Sequence, residues 1–176
     1  LQAFEPHGTE TLATSVPENQ RWRHTATLLA GGTVLGAGGI AGDGQGEQSP
    51  LSSAELYLPG QRDVQPVADL NVPRYGHAAI RLLDGTVLLL GGFDAAGEIV
   101  ADAELFLPDS QSFEAVGLMT IARGEPLATL LEDGRVLVAD GTSEEVEVYD
   151  PVGRQFVEVG RRGPGARQAS VTLAGA

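Results

Sequence analysis

One phrase recurs three times along the chain: LLAGGTVLGAGG at 28–39, LLDGTVLLLGG at 82–92 and LLEDGRVLVADG at 130–141. A repeat of this size constrains the fold more than any single motif. Each copy must be one supersecondary unit that buries its apolar face against the next. Three landmarks hold the register. The doublets Gly38-Gly39 and Gly91-Gly92 share a slot with Asp140-Gly141. An acid, a spacer and an aromatic follow, as Glu55 with Tyr57, Glu104 with Phe106 and Glu147 with Tyr149, and Pro59, Pro108 and Pro151 come two residues later. Arg21, Arg74, Arg123 and Arg167 advance in steps of 53, 49 and 44.

Each unit reads as four short strands, a to d. Strand a (24–29, 77–83 and 126–131) meets strand b through a tight turn. In two units the turn holds Asp84-Gly85 and Asp133-Gly134, a hairpin signal whose two central residues are expected to take positive φ. Strand b (86–90 and 135–139) is an unbroken apolar run, expected to be buried on both faces. Strand c alternates over 103–107. Strand d is weak and outermost, with Val64, Phe113 and Phe156 as its apolar residues. No stretch of ten residues carries a helical period. Such units cannot cover their own faces, whereas stacking them around an axis does so, which points to an all-β propeller.

Arg74-Tyr75-Gly76-His77-Ala78-Ala79, then Asp84 to Gly92, then Ala103 to Pro108 resemble one kelch repeat. Over essentially its whole length the chain is similar to the bacterial kelch and galactose-oxidase-like propellers. The third unit departs from that pattern, with Asp140 for the first glycine and Gly124-Glu125-Pro126 for Tyr-Gly-His. The resemblance implies an all-β, β-propeller fold of four-stranded antiparallel kelch blades, in a ring of roughly four to eight. Phe4-Glu5-Pro6 repeats Tyr57-Leu58-Pro59, so both ends fall in register. Residues 1–20 then form strands c and d of a preceding blade. Full blades occupy 21–73, 74–122 and 123–166, and 167–176 is the first strand of a following one. Three full blades with partial blades at both ends are expected to belong to a longer propeller, or to a ring built from several copies.

A net charge of −13, with every basic residue an arginine, leaves no excess of cations to displace counterions from phosphates, which argues against nucleic acid. The absence of Cys excludes disulfides, cysteine–zinc sites and thiol catalysis within this sequence. No apolar run has the length of a membrane span. The opening LQAFEP carries neither Met nor a leader-like apolar core, which suggests processing or a longer protein.

A residue that recurs in every unit solves a problem every unit has, and one that appears once is where function can sit. By that filter Arg21, Arg74, Arg123 and Arg167 are scaffold, pairing with Glu55, Glu104 and Glu147 or with backbone carbonyls; a ring of ligand-binding arginines is the alternative. His24 and His77 are structural. Gly38, Gly39, Gly91, Gly92 and Gly141 supply positive φ or close backbone approach. Tyr57, Phe106 and Tyr149 are packing residues. The b–c loops, at 40–53, 93–102 and 142–144, vary in length and open on the same face as the d–a connections, where recognition is expected. The binding candidates are Trp22, Asp43, Gln45, Glu47, Asp94 and Glu98. No spacing forces His, Asp or Glu together, so neither metal nor cofactor is expected. The expected function is a non-catalytic binding or surface-structural module for protein or glycan, placed extracellularly, in the periplasm or at the cell surface. One alternative is a fragment of a galactose-oxidase-like enzyme. That resemblance implies copper held by Tyr and His beside a Tyr–Cys cross-link, which a chain without Cys cannot form. The other is a repeat protein that assembles by pairing open strand edges between copies.

Overall fold

The computed structural model describes residues 21–42, 48–140 and 142–161, so the expectations placed on 1–20, Asp43, Gln45, Glu47, Gly141 and Arg167 lie outside the described residues. The described residues are all-β, with one 3-10 turn at Ala30–Gly32 and no α-helix. Three four-stranded antiparallel sheets succeed one another along the chain. The first runs β2 (Thr25–Leu28), β3 (Val34–Ala37), β6 (Ala54–Leu58) and β7 (Asp63–Pro66). The second runs β8 (Ala78–Arg81), β9 (Val87–Leu90), β10 (Asp102–Leu107) and β11 (Ser112–Leu118). The third runs β12 (Leu127–Leu130), β13 (Val136–Ala139), β14 (Glu145–Asp150) and β15 (Gln155–Arg161). Each is a meander in which strand order follows sequence order.

Sheet-on-sheet packing explains the two-faced strand b. Val87 and Leu89 of β9 enter a core with Leu35, Ala37, Leu56 and Phe106. The intervening Leu88 and Leu90 enter a second core with Leu105, Val136, Val138 and Tyr149. Successive side chains of a strand point to opposite faces, so four consecutive apolar residues serve two interfaces, and all four are fully buried. On their inner edges β8 touches both β2 and β12, and on the outer edge β11 meets β15. The three sheets thus stand side by side in a propeller-like arrangement that does not close a ring among the described residues.

Three local expectations are corrected. Strand c does not alternate between buried and exposed: Ala103, Glu104, Leu105 and Phe106 are all buried, because neighbouring sheets cover both faces and a buried arginine takes up Glu104. In the a–b turns only the glycines, Gly85 and Gly134, have positive φ, while Asp84 and Asp133 do not. The loop is one residue longer than a two-residue turn. Leu82 N bonds Thr86 O at 2.8 Å, and Asp84 Oδ1 accepts from Thr86 N at 3.0 Å. A left-handed glycine closes such three-residue hairpins. The 40–53 segment is not wholly loop. β4 (Ile40–Gly42) and β5 (Gln48–Pro50) form a small sheet with β1 (Arg21–Trp22), in the order β1-β4-β5. The second unit keeps only two isolated bridges there, Tyr75 with Phe93 and Phe93 with Ile99. Three-residue strands carry too little periodicity to show in a sequence.

The glycine doublets set how closely the sheets approach. A Cβ on Gly91 would stand 2.4 Å from Arg123 O of the next sheet and 2.8 Å from Pro126 Cγ. One on Gly92 would stand 2.6 Å from Tyr75 O of its own sheet. Gly39 N and Gly92 N donate across to Arg74 O and Arg123 O, both at 2.9 Å. One glycine therefore admits the neighbour's backbone and the other admits its own.

Two comparisons test this packing. Leu89→Ala should lower the unfolding free energy by about 2–5 kcal/mol in a denaturant titration, whereas Val152→Ala, at a side chain 93% exposed, should stay within about 0.5 kcal/mol. Gly91 and Gly85 share positive φ, yet a Cβ on Gly85 would meet nothing within 4 Å. Gly91→Ala should therefore cost clearly more stability than Gly85→Ala; equal costs would refute close approach as the reason for the doublet.

Candidate functional site

The repeated arginines form one latch per unit. Arg74, with no exposed surface, donates from Nη1 to Gly91 O at 3.1 Å and Asp102 O at 2.7 Å, and from Nη2 to Glu104 Oε1 at 2.7 Å. Glu104 Oε2 accepts Asn71 N and Nδ2, both at 2.7 Å. One cation thus ties the end of strand b, the start of strand c and the d–a connection. Arg21 repeats the pattern onto Gly38 O at 3.1 Å and Ser53 O at 2.7 Å, with Glu55 at 3.6 Å. Arg123 pairs with Glu147 at 3.1 Å, and Glu147 Oε2 accepts Thr120 N at 2.8 Å. Where Asp140 replaces the doublet's first glycine, Arg123 Nη1 pairs with its carboxylate at 3.1 Å. Burial pushes the Asp140 pKa up, but the N–H groups of Ser143 and Thr142, with Arg123, outweigh it and hold the carboxyl below its ordinary range. Burial draws the Arg74 and Arg21 pKa values down against Glu104 and Glu55 respectively. Such desolvation is tolerable only when each charge has its hydrogen bonds. The side chains of these three arginines are internal.

His77 is also internal. Its Nε2 lies 2.9 Å from Thr25 Oγ1 of the first sheet, and a Cβ on Gly38 would stand 2.9 Å from its Cε1. Burial, then Arg74 and His24, lower its pKa to about 3. The His24 pKa is lowered too, first by burial and then by Arg21. Phe106 packs against Phe113 and Tyr149 against Phe156 as tilted ring pairs, with centroids 5.1 and 4.9 Å apart. Tyr57 is buried in the first unit opposite Val64.

The positions where the units differ remain as candidates, and one such column sits on the b–c face. Residues 22–23, 75–76 and 124–125 are equivalent and read Trp-Arg, Tyr-Gly and Gly-Glu. The guanidinium of Arg23 lies over the Tyr75 ring at 4.9 Å and the Phe93 ring at 5.9 Å, and it continues to an ion pair with Glu125. It passes over Tyr75, Gly76 and Phe93 of the second unit to reach the third. Gly76 clears the path, since a Cβ there would meet Arg23 Nη2 at 3.2 Å, and Gly124 leaves room for the Phe93 ring. Tyr75 and Phe93 stack with centroids 5.4 Å apart. Arg23 has φ 56, a left-handed conformation that costs a non-glycine residue about 1–2 kcal/mol. An ion pair exposed at 41% and 69% returns at most about 1 kcal/mol. Each cation–π contact adds about 0.5–1 kcal/mol, so the strap roughly offsets its own strain and adds little net stability.

Of the sequence candidates, Trp22 adjoins this strap and stays 41% exposed. Asp94 follows Phe93, but its Oδ1 is committed to its own loop, accepting Ala96 N at 2.8 Å and Glu98 N at 2.9 Å. Glu98 stays exposed on that loop. Arg23, Phe93 and Glu125 were not among the candidates. Their signal was available, because position 23 changes in every unit while Arg21, two residues before it, recurs. Among the described residues no group of three or more His, Cys, Asp or Glu could hold a metal, and no helix is long and apolar enough to cross a membrane.

No protein-family model matches the chain, and no curated protein matches it. Among solved structures it is similar to one titled "Structure of YjhT", with a TM-score of 0.72 and 12% identity over 85% of this chain and 54% of that one. The chain thus spans about half the length of that structure. The likeness concerns the fold and agrees with a propeller-like arrangement of antiparallel sheets.

His77 gives the frame a pH signature. Its folded pKa lies below the unfolded value of about 6.5, so the unfolded chain binds the extra proton between the two. Stability should be full above pH about 6.5 and fall as pH drops toward about 3. His77→Gln should flatten the pH dependence of the unfolding free energy between about pH 6.5 and 4. An unchanged slope would mean that His77 is not held neutral.

Proposed function

We propose that the chain is a stretch of kelch-type propeller, with three full blades flanked by partial ones, that serves as a non-catalytic binding module. Recognition lies on the b–c face, at the inner rim where Arg23, Tyr75, Phe93 and Glu125 gather and the exposed Trp22 adjoins Arg23 in the chain. The observation that carries this reading is the Arg23–Glu125 strap. It joins the first unit to the third across the second, at strained backbone, for little return in stability. A guanidinium, two aromatic rings and a carboxylate, with the exposed Trp22 next to Arg23 in the chain, suit a glycan, whose rings stack on aromatic faces and whose hydroxyls need both donors and acceptors. The same chemistry suits a polar protein loop. Such ligands would meet the module in the periplasm, outside the cell or at its surface.

The test is binding of the full chain to immobilised neutral and acidic oligosaccharides, with a thermal unfolding curve for every variant. Trp22→Ala should weaken binding at least about tenfold, as expected for losing an aromatic anchor, with little change in unfolding temperature. Arg23→Gly should also lose binding while stability stays within about 1 kcal/mol, because glycine relieves the left-handed strain as the ion pair is lost. Glycan binding by both variants at wild-type strength would refute the site.

A further inference from the structure

The opposite face, formed by the a–b and c–d turns, carries a second feature that differs between units. Between the first and second sheets an open-mouthed cleft of about 580 Å³ has a floor of Leu29, Leu56, Leu58 and Leu107. Its volume falls within the range of small-molecule sites, about 300–1,000 Å³. Asp84 and Asp109, both exposed, also line it, and no basic residue does. Asp84 Oδ1 accepts Thr86 N and Oγ1, with its Oδ2 left for a ligand.

The neighbouring junction shows why this one is open. Between the second and third sheets Arg154 Nη1 donates to Glu114 Oε1 at 2.7 Å, bridging the outer strand β11 to the c–d turn of the third unit. In repeat register Glu114 corresponds to Gln65, and Arg154 to Gln111. Both glutamines line the cleft, and two neutral amides form no ion pair across it. The turn geometry is nonetheless the same, with Gln111 and Arg154 at φ 52 and 51. The amide N–H of Ala68 in the first unit donates to Gln111 O at 3.2 Å, so the walls are joined without the bridge. The cleft is preformed. The floor differs as well, since Leu107 corresponds to Asp150 and Asp109 to Val152. At the second junction one floor leucine is thus replaced by an acid and one of the two acids by a valine, while Asp84 still corresponds to an acid, Asp133.

We propose that this cleft binds a small molecule with an apolar body and a single cationic group, an amine or guanidine, with the body on the leucine floor and the cation between Asp84 and Asp109. The site is separate from the b–c rim, and its test does not depend on glycan or protein binding there.

Hexylamine, hexanol and hexanoate share one apolar body and differ in charge, so titrating each into the full chain by ligand-observed NMR separates the two contributions. Hexylamine should bind about fivefold more tightly than hexanol, and hexanoate should bind most weakly. The double variant Gln65→Glu/Gln111→Arg transplants the neighbouring bridge and should abolish hexylamine binding while an unfolding transition is retained. Asp109→Asn should bring hexylamine down to the level of hexanol. The proposal is overturned if none of the three binds, if amine and alcohol bind equally, or if the folded double variant binds hexylamine undiminished. Should the double variant fail to unfold cooperatively, Asp109→Asn decides alone: a retained preference for the amine overturns the proposal, and its loss supports it.

Discussion

A guanidinium shut away from water needs partners for its N–H groups, and that need organises each sheet. It is met most fully at Arg74, whereas Nε of Arg21 and Nη1 of Arg123 make no hydrogen bond. Arg74 reaches the end of strand b, the start of strand c and Glu104, and Glu104 in turn holds the d–a connection through Asn71. Removing either charge would leave the other buried and unpaired, which costs about 3–5 kcal/mol. The arginine and the glutamate therefore recur together in every described unit. Even where the doublet's first glycine becomes Asp140, the arginine stays and gains a second acid.

The glycine doublets let this device pack densely. Each sheet presents a carbonyl and a ring at the place where its neighbour has no Cβ, so adjacent backbones hydrogen-bond directly. Apolar side chains of alternate parity then fill the two faces of strand b. With latch and core shared by all described units and the doublet by two of them, the remaining positions are free to vary without loss of the frame. They vary in two places. On one face the column 23, 76 and 125 holds Arg, Gly and Glu and builds a strap across three sheets. On the other, Gln65 and Gln111 leave open a junction that Glu114 and Arg154 close in the next unit.

Much of the frame was legible before any coordinates, because repetition turns weak local signals into strong ones. A single Glu-Leu-Phe means little, but three acid–spacer–aromatic groups in register with three arginines imply a shared partner, and the structure pairs them. The same strength misled over strand c, where alternation in 103–107 suggested an exposed face. A charged residue in an alternating pattern normally points to solvent, and only the neighbouring sheet and Arg74 make Glu104 internal. The small strands β4 and β5 escaped notice because backbone pairing, not side-chain pattern, creates them.

The sequence by itself determined the unit: its length, its four-strand order and the residues every copy must keep, since these follow from local turn chemistry and alternation within a strand. Only the tertiary structure decided the sites. Arg23 and Glu125 are 102 residues apart, and Gln65 and Gln111 belong to different sheets. No local spacing brings either pair together. Their meeting depends on how far one sheet rotates and slides against the next, a quantity set by glycine contacts and core volume across whole interfaces.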